Sequence, residues 1–171
     1  ILFDEIRQSY PQAYILGGTS AGEICGTQVH DNSLAVTAVF FEHTTLASTH
    51  KSIKSEISFS IGEELVRSLP QEGLRHIFVL ADGLNTNGTE LIKGMSKHLP
   101  KNVTITGGLA GDNGKFIETL IASNNFPESK NIAAIGFYGS RFKIGYGSKS
   151  GFVPFGPERI ITRSESNVLY E

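Results

Sequence analysis

The sequence predicts an α+β fold, with mixed, mainly antiparallel sheets in two layers, covered by helices and carrying an approximate internal duplication. Three observations point to it. Segments rich in β-branched and aromatic residues recur along the 171-residue chain, separated by Gly, Pro, Asn and Ser, and they outnumber the helical segments. Two stretches space apolar residues as a helix does and stop at Pro70 and Pro100. Two segments of matching length, "LAVTAVFFEHTTLASTHKS" from Leu34 and "IAAIGFYGSRFKIGYGSKS" from Ile132, each read as a hairpin following a glycine pair, at Gly17 and at Gly107.

In chain order, Leu2 to Gln8 is weakly helical and Pro11 breaks the pattern. "AYIL" reads as a short buried strand entering Gly17-Gly18, and "EICG" as a brief strand after the glycine loop. "SLAVTAVFF" and "TTLASTH", joined across Glu42 and His43, read as an antiparallel pair. A helix is expected over Ser55–Leu69, with Ser55 as N-cap and Ile57, Ile61, Leu65, Val66 and Leu69 as its apolar stripe. "HIFVLA" is a buried strand and "DGLNTNG" a loop; a second helix is expected over Gly88–Leu99. "NVTIT" leads into the second glycine loop, and strands are expected at "KFIETLIA", "NIAAIGFYG", "FKIGYGS", "ERIITRS" and "NVLYE". The Asn87-Gly88 and Asn113-Gly114 dipeptides read as turns.

Composition narrows the function classes. A formal charge of −2, from 15 basic and 17 acidic residues scattered along the chain, gives no electrostatic footprint for nucleic acid or an anionic membrane. The longest apolar runs fall far short of the roughly 20 residues a membrane span needs, and nothing reads as a signal peptide. A lone cysteine, Cys25, agrees with a reducing compartment, so a cytoplasmic location is expected. The chain opens at Ile1 and closes on strand-like "NVLYE", as expected of a single domain that is a segment of a longer protein.

"GTSAG", Gly18 to Gly22, matches G-x-S-x-G and resembles the serine loop of patatin-like lipases, with Asp82 of "ADGL" as a possible partner for Ser20. An elbow needs a helix after the serine, and "EICGTQVHDN" has no helical spacing; a turn lined by Ser20 is the plainer reading. Cys25 with His30 or His43 could form a thiolate pair, against the plainer reading of a small buried thiol. His30, His43, His50, His76 and His98 show no metal-ligand spacing, although any one could be an axial haem ligand. "GFVPFGP" is a stiff, kinked apolar segment that either covers a sheet edge or presents Phe152 and Phe155 as a pocket wall. The glycine loops "ILGGTSAGEICG" and "ITGGLAGDNGKF" offer bare N–H groups and one acid each, Glu23 and Asp112. Backbone N–H groups can hold a carboxylate and an acidic side chain an ammonium, a pairing that suits a zwitterion.

Taken together, "GGTSAGEI", "FVLADGL", "LPKNVTITGGLAGD" and "SGFVPFGPERIITRSESNVLYE", in that order, resemble the N-terminal domain of the FIST family from about Ala13 to Glu171. The resemblance implies a cytoplasmic signal-input domain of prokaryotic, including bacterial, proteins. It further implies amino acids or related metabolites as ligands, a second FIST domain C-terminal to residue 171, and a kinase, cyclase or chemoreceptor output module. Some relatives bind haem and sense nitric oxide, which keeps haem as an alternative; otherwise no cofactor, no metal and no catalytic residue is expected. The expected ligand site is Gly17, Gly18, Thr19, Ser20, Gly22 and Glu23 on one loop and Gly107, Gly108, Leu109, Gly111 and Asp112 on the other, walled by Phe152 and Phe155. The remaining alternative is a patatin-like serine hydrolase.

Overall fold

The computed structural model describes residues 2–54, 57–147, 151, 153–165 and 168–170. Its elements are α1 (Leu2–Ser9), β1 (Leu16–Gly18), β2 (Glu23–Cys25), β3 (Gln28–His30), β4 (Thr45–Ser52), α2 (Ser58–Ser68), β5 (Leu74–Ala81), α3 (Gly88–Ser96), β6 (Thr104–Leu109), β7 (Ile121–Ser123), β8 (Asn131–Tyr138), β9 (Ser164–Glu165) and β10 (Val168–Leu169). The fold is α+β, as the sequence predicts. Among the described residues no helix is long and apolar enough to cross a membrane.

The centre is a four-stranded sheet in the order β4-β8-β5-β6. β8 is antiparallel to both neighbours, and β6 joins β5 in parallel after the crossover through α3. Along β5 the side chains alternate, so Ile77, Val79 and Ala81 share one face with Ile132, Ala134 and Tyr138 of β8. That face packs against Ile61, Leu65 and Val66 of α2 and Leu91 and Met95 of α3. Each of the large side chains fully buried here contributes about 1.5–3 kcal/mol. Both helices therefore cover the same face.

The two helices approach through glycine. A Cβ on Gly62 would overlap the carbonyl oxygen of Leu91, and one on Gly94 would overlap that of Phe59. The helix expected from Ser55 begins at Ser58 with Ile57 as N-cap and no side-chain cap; Ser55 lies outside the described residues. The Ser58 hydroxyl instead accepts a hydrogen bond from the N–H of Asn87, and the Asn87 side chain caps α3 by accepting from Glu90 N. α3 ends at Ser96 rather than Leu99, its last residues turning before Pro100.

The opposite face carries His76, whose ring nitrogens lie 2.8 Å from Thr104 Oγ1 and 2.9 Å from Thr106 Oγ1 on β6. Phe142 stacks on both this imidazole and Phe137, Phe137 lies tilted against the imidazole, and Phe41 meets both phenylalanines edge-on. The antiparallel pair β1–β7 forms the second layer here, and Asn124, just beyond β7, donates to Ser48 of β4. Burial holds the His76 pKa below its ordinary value, so the folded state resists taking a proton that the unfolded chain accepts below about pH 6.5. Stability should therefore fall as pH drops through and below that value. In urea titrations from pH 7.5 to 5, His76→Gln is expected to flatten this decline; an unchanged slope would remove His76 as its source.

Several expected strands are corrected. Residues 33–41 form no strand, and Leu34, Val36, Val39 and Phe40 are exposed. β4 pairs with β8, whose buried Ile132, Ala133 and Ala134 offer more apolar contact than the local partner could. On the other segment the first arm is a strand and residues 142–147 are not, so the two segments do not fold as matching hairpins. "KFIETLIA" becomes a strand only at Ile121, because Asp112 takes the N–H groups of Phe116, Ile117 and Glu118 out of any ladder. Among the described residues of "ERIITRS" and "NVLYE", strand pairing is confined to β9 and β10, with Tyr170 N donating beyond it to Arg163 O.

Candidate functional site

The two glycine loops meet. Gly17 and Gly18 lie in β1, paired with Ala122 and Ile121 of β7. Thr19 holds the junction: its N–H donates to Leu120 O (3.0 Å), its Oγ1 accepts from Leu120 N (3.0 Å), and its carbonyl accepts from Gly111 N (3.0 Å). The second loop is anchored in turn by Ala110 N donating to Ala81 O at the end of β5 (2.8 Å).

Beyond Thr19, the Ser20 hydroxyl donates to Glu23 Oε1 (2.8 Å) and accepts from Gly22 N (3.0 Å), while Ser33 donates to Glu23 Oε2 (3.0 Å). The bonds from Ser20 and then Ser33 hold the Glu23 carboxyl below the usual carboxylate range. The chain runs from Ser20 into β2, not into a helix. On the other loop, Asp112 accepts from Ile117 N (2.7 Å), Phe116 N (3.0 Å) and Glu118 N (3.3 Å), and these bonds, Ile117 first, lower its pKa. Asp112 therefore closes its own loop as well as facing outward.

Behind the junction sits Asp82, fully buried at the end of β5. It accepts from Lys130 N (2.6 Å), Thr119 Oγ1 (2.7 Å), Leu84 N (2.9 Å), and Asn85 N and Nδ2 (3.0 and 3.1 Å). Thr119 also accepts from Gly83 N and precedes Leu120, the partner of Thr19. One carboxylate thus ties the end of β5 to the strand that positions the first glycine loop.

The loops border a cleft of about 1680 Å³. Gly17, Gly18, Thr19, Ser20, Gly22, Glu23 and Asp112 line it. Gly111 holds the two loops together without lining it, and Gly107, Gly108 and Leu109 belong to the edge strand β6, away from it. Leu109 packs beside Gly88 at the start of α3. The expected aromatic wall is corrected: Phe155 is fully exposed and does not line the cleft, and Phe152 lies outside the described residues. Tyr10, Phe40 and Phe126 supply aromatic lining instead. Asp31, Lys115 and Glu118 also line it. Sequence reasoning missed them because no local motif marks them; they are brought together only by the meeting of two distant segments. No histidine among the described residues lines this cleft, and no cluster of three potential metal ligands occurs among them.

The family model described as FIST N domain matches residues 1–171, the whole chain. No curated protein and no solved structure matches it.

Proposed function

Because this chain belongs to the FIST family, whose domains generally serve as sensory inputs in signal transduction, we propose that it binds a small ligand, an amino acid or related metabolite, in the cleft bordered by the two glycine loops. Occupancy is relayed to an output module, with a second FIST domain as the adjoining partner, in the cytoplasm. The observation that carries the reading is the junction at Thr19, where Gly111 N donates to Thr19 O and brings the carboxylates of Glu23 and Asp112 to one cleft. Glu23 accepts one hydroxyl on each oxygen, and a carboxylate has lone pairs for more donors, so it can still receive a ligand ammonium.

The domain acts as a binding module rather than an enzyme. The Ser20 hydroxyl is spent on Glu23, and no helix follows to supply the strained turn or the dipole of a nucleophile elbow. The haem alternative has no histidine at this cleft to recommend it.

A thermal-shift screen of amino acids tests the reading. A ligand at about a hundredfold its dissociation constant stabilises by roughly 2.7 kcal/mol, and Glu23→Gln is expected to abolish most of that shift. Gly108→Val is the control, because a side chain there meets nothing within 4 Å and the residue lies off the cleft. A screen in which no amino acid moves the midpoint would reject the reading, as would a hit indifferent to Glu23→Gln.

A further inference from the structure

The lining of the cleft is unbalanced in charge. Glu23, Asp31, Asp112 and Glu118 are acidic and Lys115 is basic, which gives four carboxylates against one ammonium among the described residues. The acids fall into two pairs, one on each of the joined loops. Glu23 stands opposite His30 in the β2–β3 hairpin, and the Asp31 carboxylate approaches Gly22 at the turn before it. Asp112 accepts from the N–H of Glu118, so these two belong to one closed loop with Lys115 between them. Glu23 and Asp112 are held ionised by the hydrogen bonds they accept. The cleft is also larger than a short zwitterion requires, since single-ligand pockets typically measure roughly 300–1000 Å³ and this one measures about 1680 Å³. Its lining also carries aromatic side chains, Tyr10, Phe40 and Phe126 among them.

We propose that the cleft selects amino acids with long, positively charged side chains over neutral and acidic ones. This rests on the amino-acid reading above and deepens it. A zwitterion needs one acid and one base; Lys115 is the base for the ligand carboxylate, and one loop's acids meet the ammonium. That leaves further carboxylates whose charge only a second cation balances. The aromatic wall accepts both the aliphatic stem of such a side chain and, through its ring faces, its cationic head. An acidic side chain there would meet like charge, and a neutral one would leave the surplus carboxylates unmatched.

Calorimetric titration with L-lysine, L-norleucine and L-glutamate separates the terms, because norleucine keeps the four-carbon stem of lysine and lacks its ammonium. Lysine is expected to bind about tenfold or more tightly than norleucine, the effect of one hydrogen-bonded charge, and glutamate not measurably. The double change Asp31→Asn, Glu118→Gln removes charge while sparing Glu23 and Asp112, and it should bring lysine close to norleucine. Its unliganded melting temperature, compared with the parent's, shows that the fold persists; should it fall, lysine affinity of the parent at rising salt replaces the variant, with preference expected to shrink. Equal binding of lysine and norleucine, or a preference untouched by both treatments, overturns this inference and leaves the amino-acid reading standing. No binding by any of the three, together with a silent screen, overturns the reading on which it rests.

Discussion

Replacing Asp82 by alanine is expected to lower the stability of the domain by about 3–5 kcal/mol, because the donors that now meet at its carboxylate would lose their acceptor, and each one that water does not reach costs roughly 1–3 kcal/mol. That is a large part of the 5–15 kcal/mol typical of a domain. The donors are the N–H groups of Lys130, Leu84 and Asn85 and the hydroxyl of Thr119, all now directed at one carboxylate. Burial pushes the Asp82 carboxyl up, but the bonds from Thr119, Lys130, Asn85 and Leu84 outweigh it, and the pKa lies below the ordinary value. A depressed carboxylate contributes its full stabilisation above the unfolded-state pKa near 4, and loses it as pH falls through the lower folded value. Urea unfolding from pH 7 down to pH 2.5 measures both effects. Asp82→Asn, which keeps one acceptor oxygen, should fall between the parent and alanine and flatten the acid limb. An alanine variant within about 1 kcal/mol of the parent would mean that water replaces the carboxylate and that Asp82 does not organise the junction.

Gly107→Ala is expected to cost about 2–5 kcal/mol, combining overpacking with a backbone angle that L side chains rarely adopt. Gly107 has φ +149°, and a Cβ there would overlap the carbonyl oxygen of Val79, its register partner on β5. The next residue supplies the contrast. Gly108 lies in open space with no left-handed backbone, so Gly108→Ala should change stability by less than about 0.5 kcal/mol, as for an ordinary surface position. Parallel thermal melts of the two variants would show it directly. Equal midpoints would mean that β6 shifts outward to admit the methyl group, which an edge strand held on one side is free to do.

This contrast also shows what was legible in the sequence. Gly107 and Gly108 looked alike, as room for a ligand, yet Gly107 is closed to side chains by a neighbouring strand and Gly108 is not. The helices, β5 and β8 could be read because their apolar spacing is strong and local, and the meeting of the glycine loops followed from two similar motifs. The pairing of β4 could not be read. "SLAVTAVFF" has every local feature of a strand, but strand pairing is decided by burial across the sheet, and β8 sits between β4 and β5. Asp112 looked like a ligand group from its place at the loop end, whereas its carboxylate also caps N–H groups four to six residues on. The aromatic wall was sought in "GFVPFGP" for its stiffness; the cleft is lined instead by aromatics outside that segment, Tyr10, Phe40 and Phe126 among them.

The backbone-to-backbone contact at Gly62 and Gly94 gives the sensory reading a mechanical side. Helices separated by long side chains can slip past each other as those side chains change rotamer, and a push on one is absorbed between them. Here the main chains touch, so little compliant material lies between α2 and α3, and the Ser58–Asn87 bond pins their leading ends together. These contacts join the pair into one plate laid on the sheet. Asn87 lies two residues from Asn85, which is bonded to Asp82, and Asp82 is bonded through Thr119 to the strand beside Thr19. A displacement beginning at the glycine loops would therefore tilt the whole plate instead of dissipating in the first helix it met, and the outer surface of both helices is where that tilt would be felt.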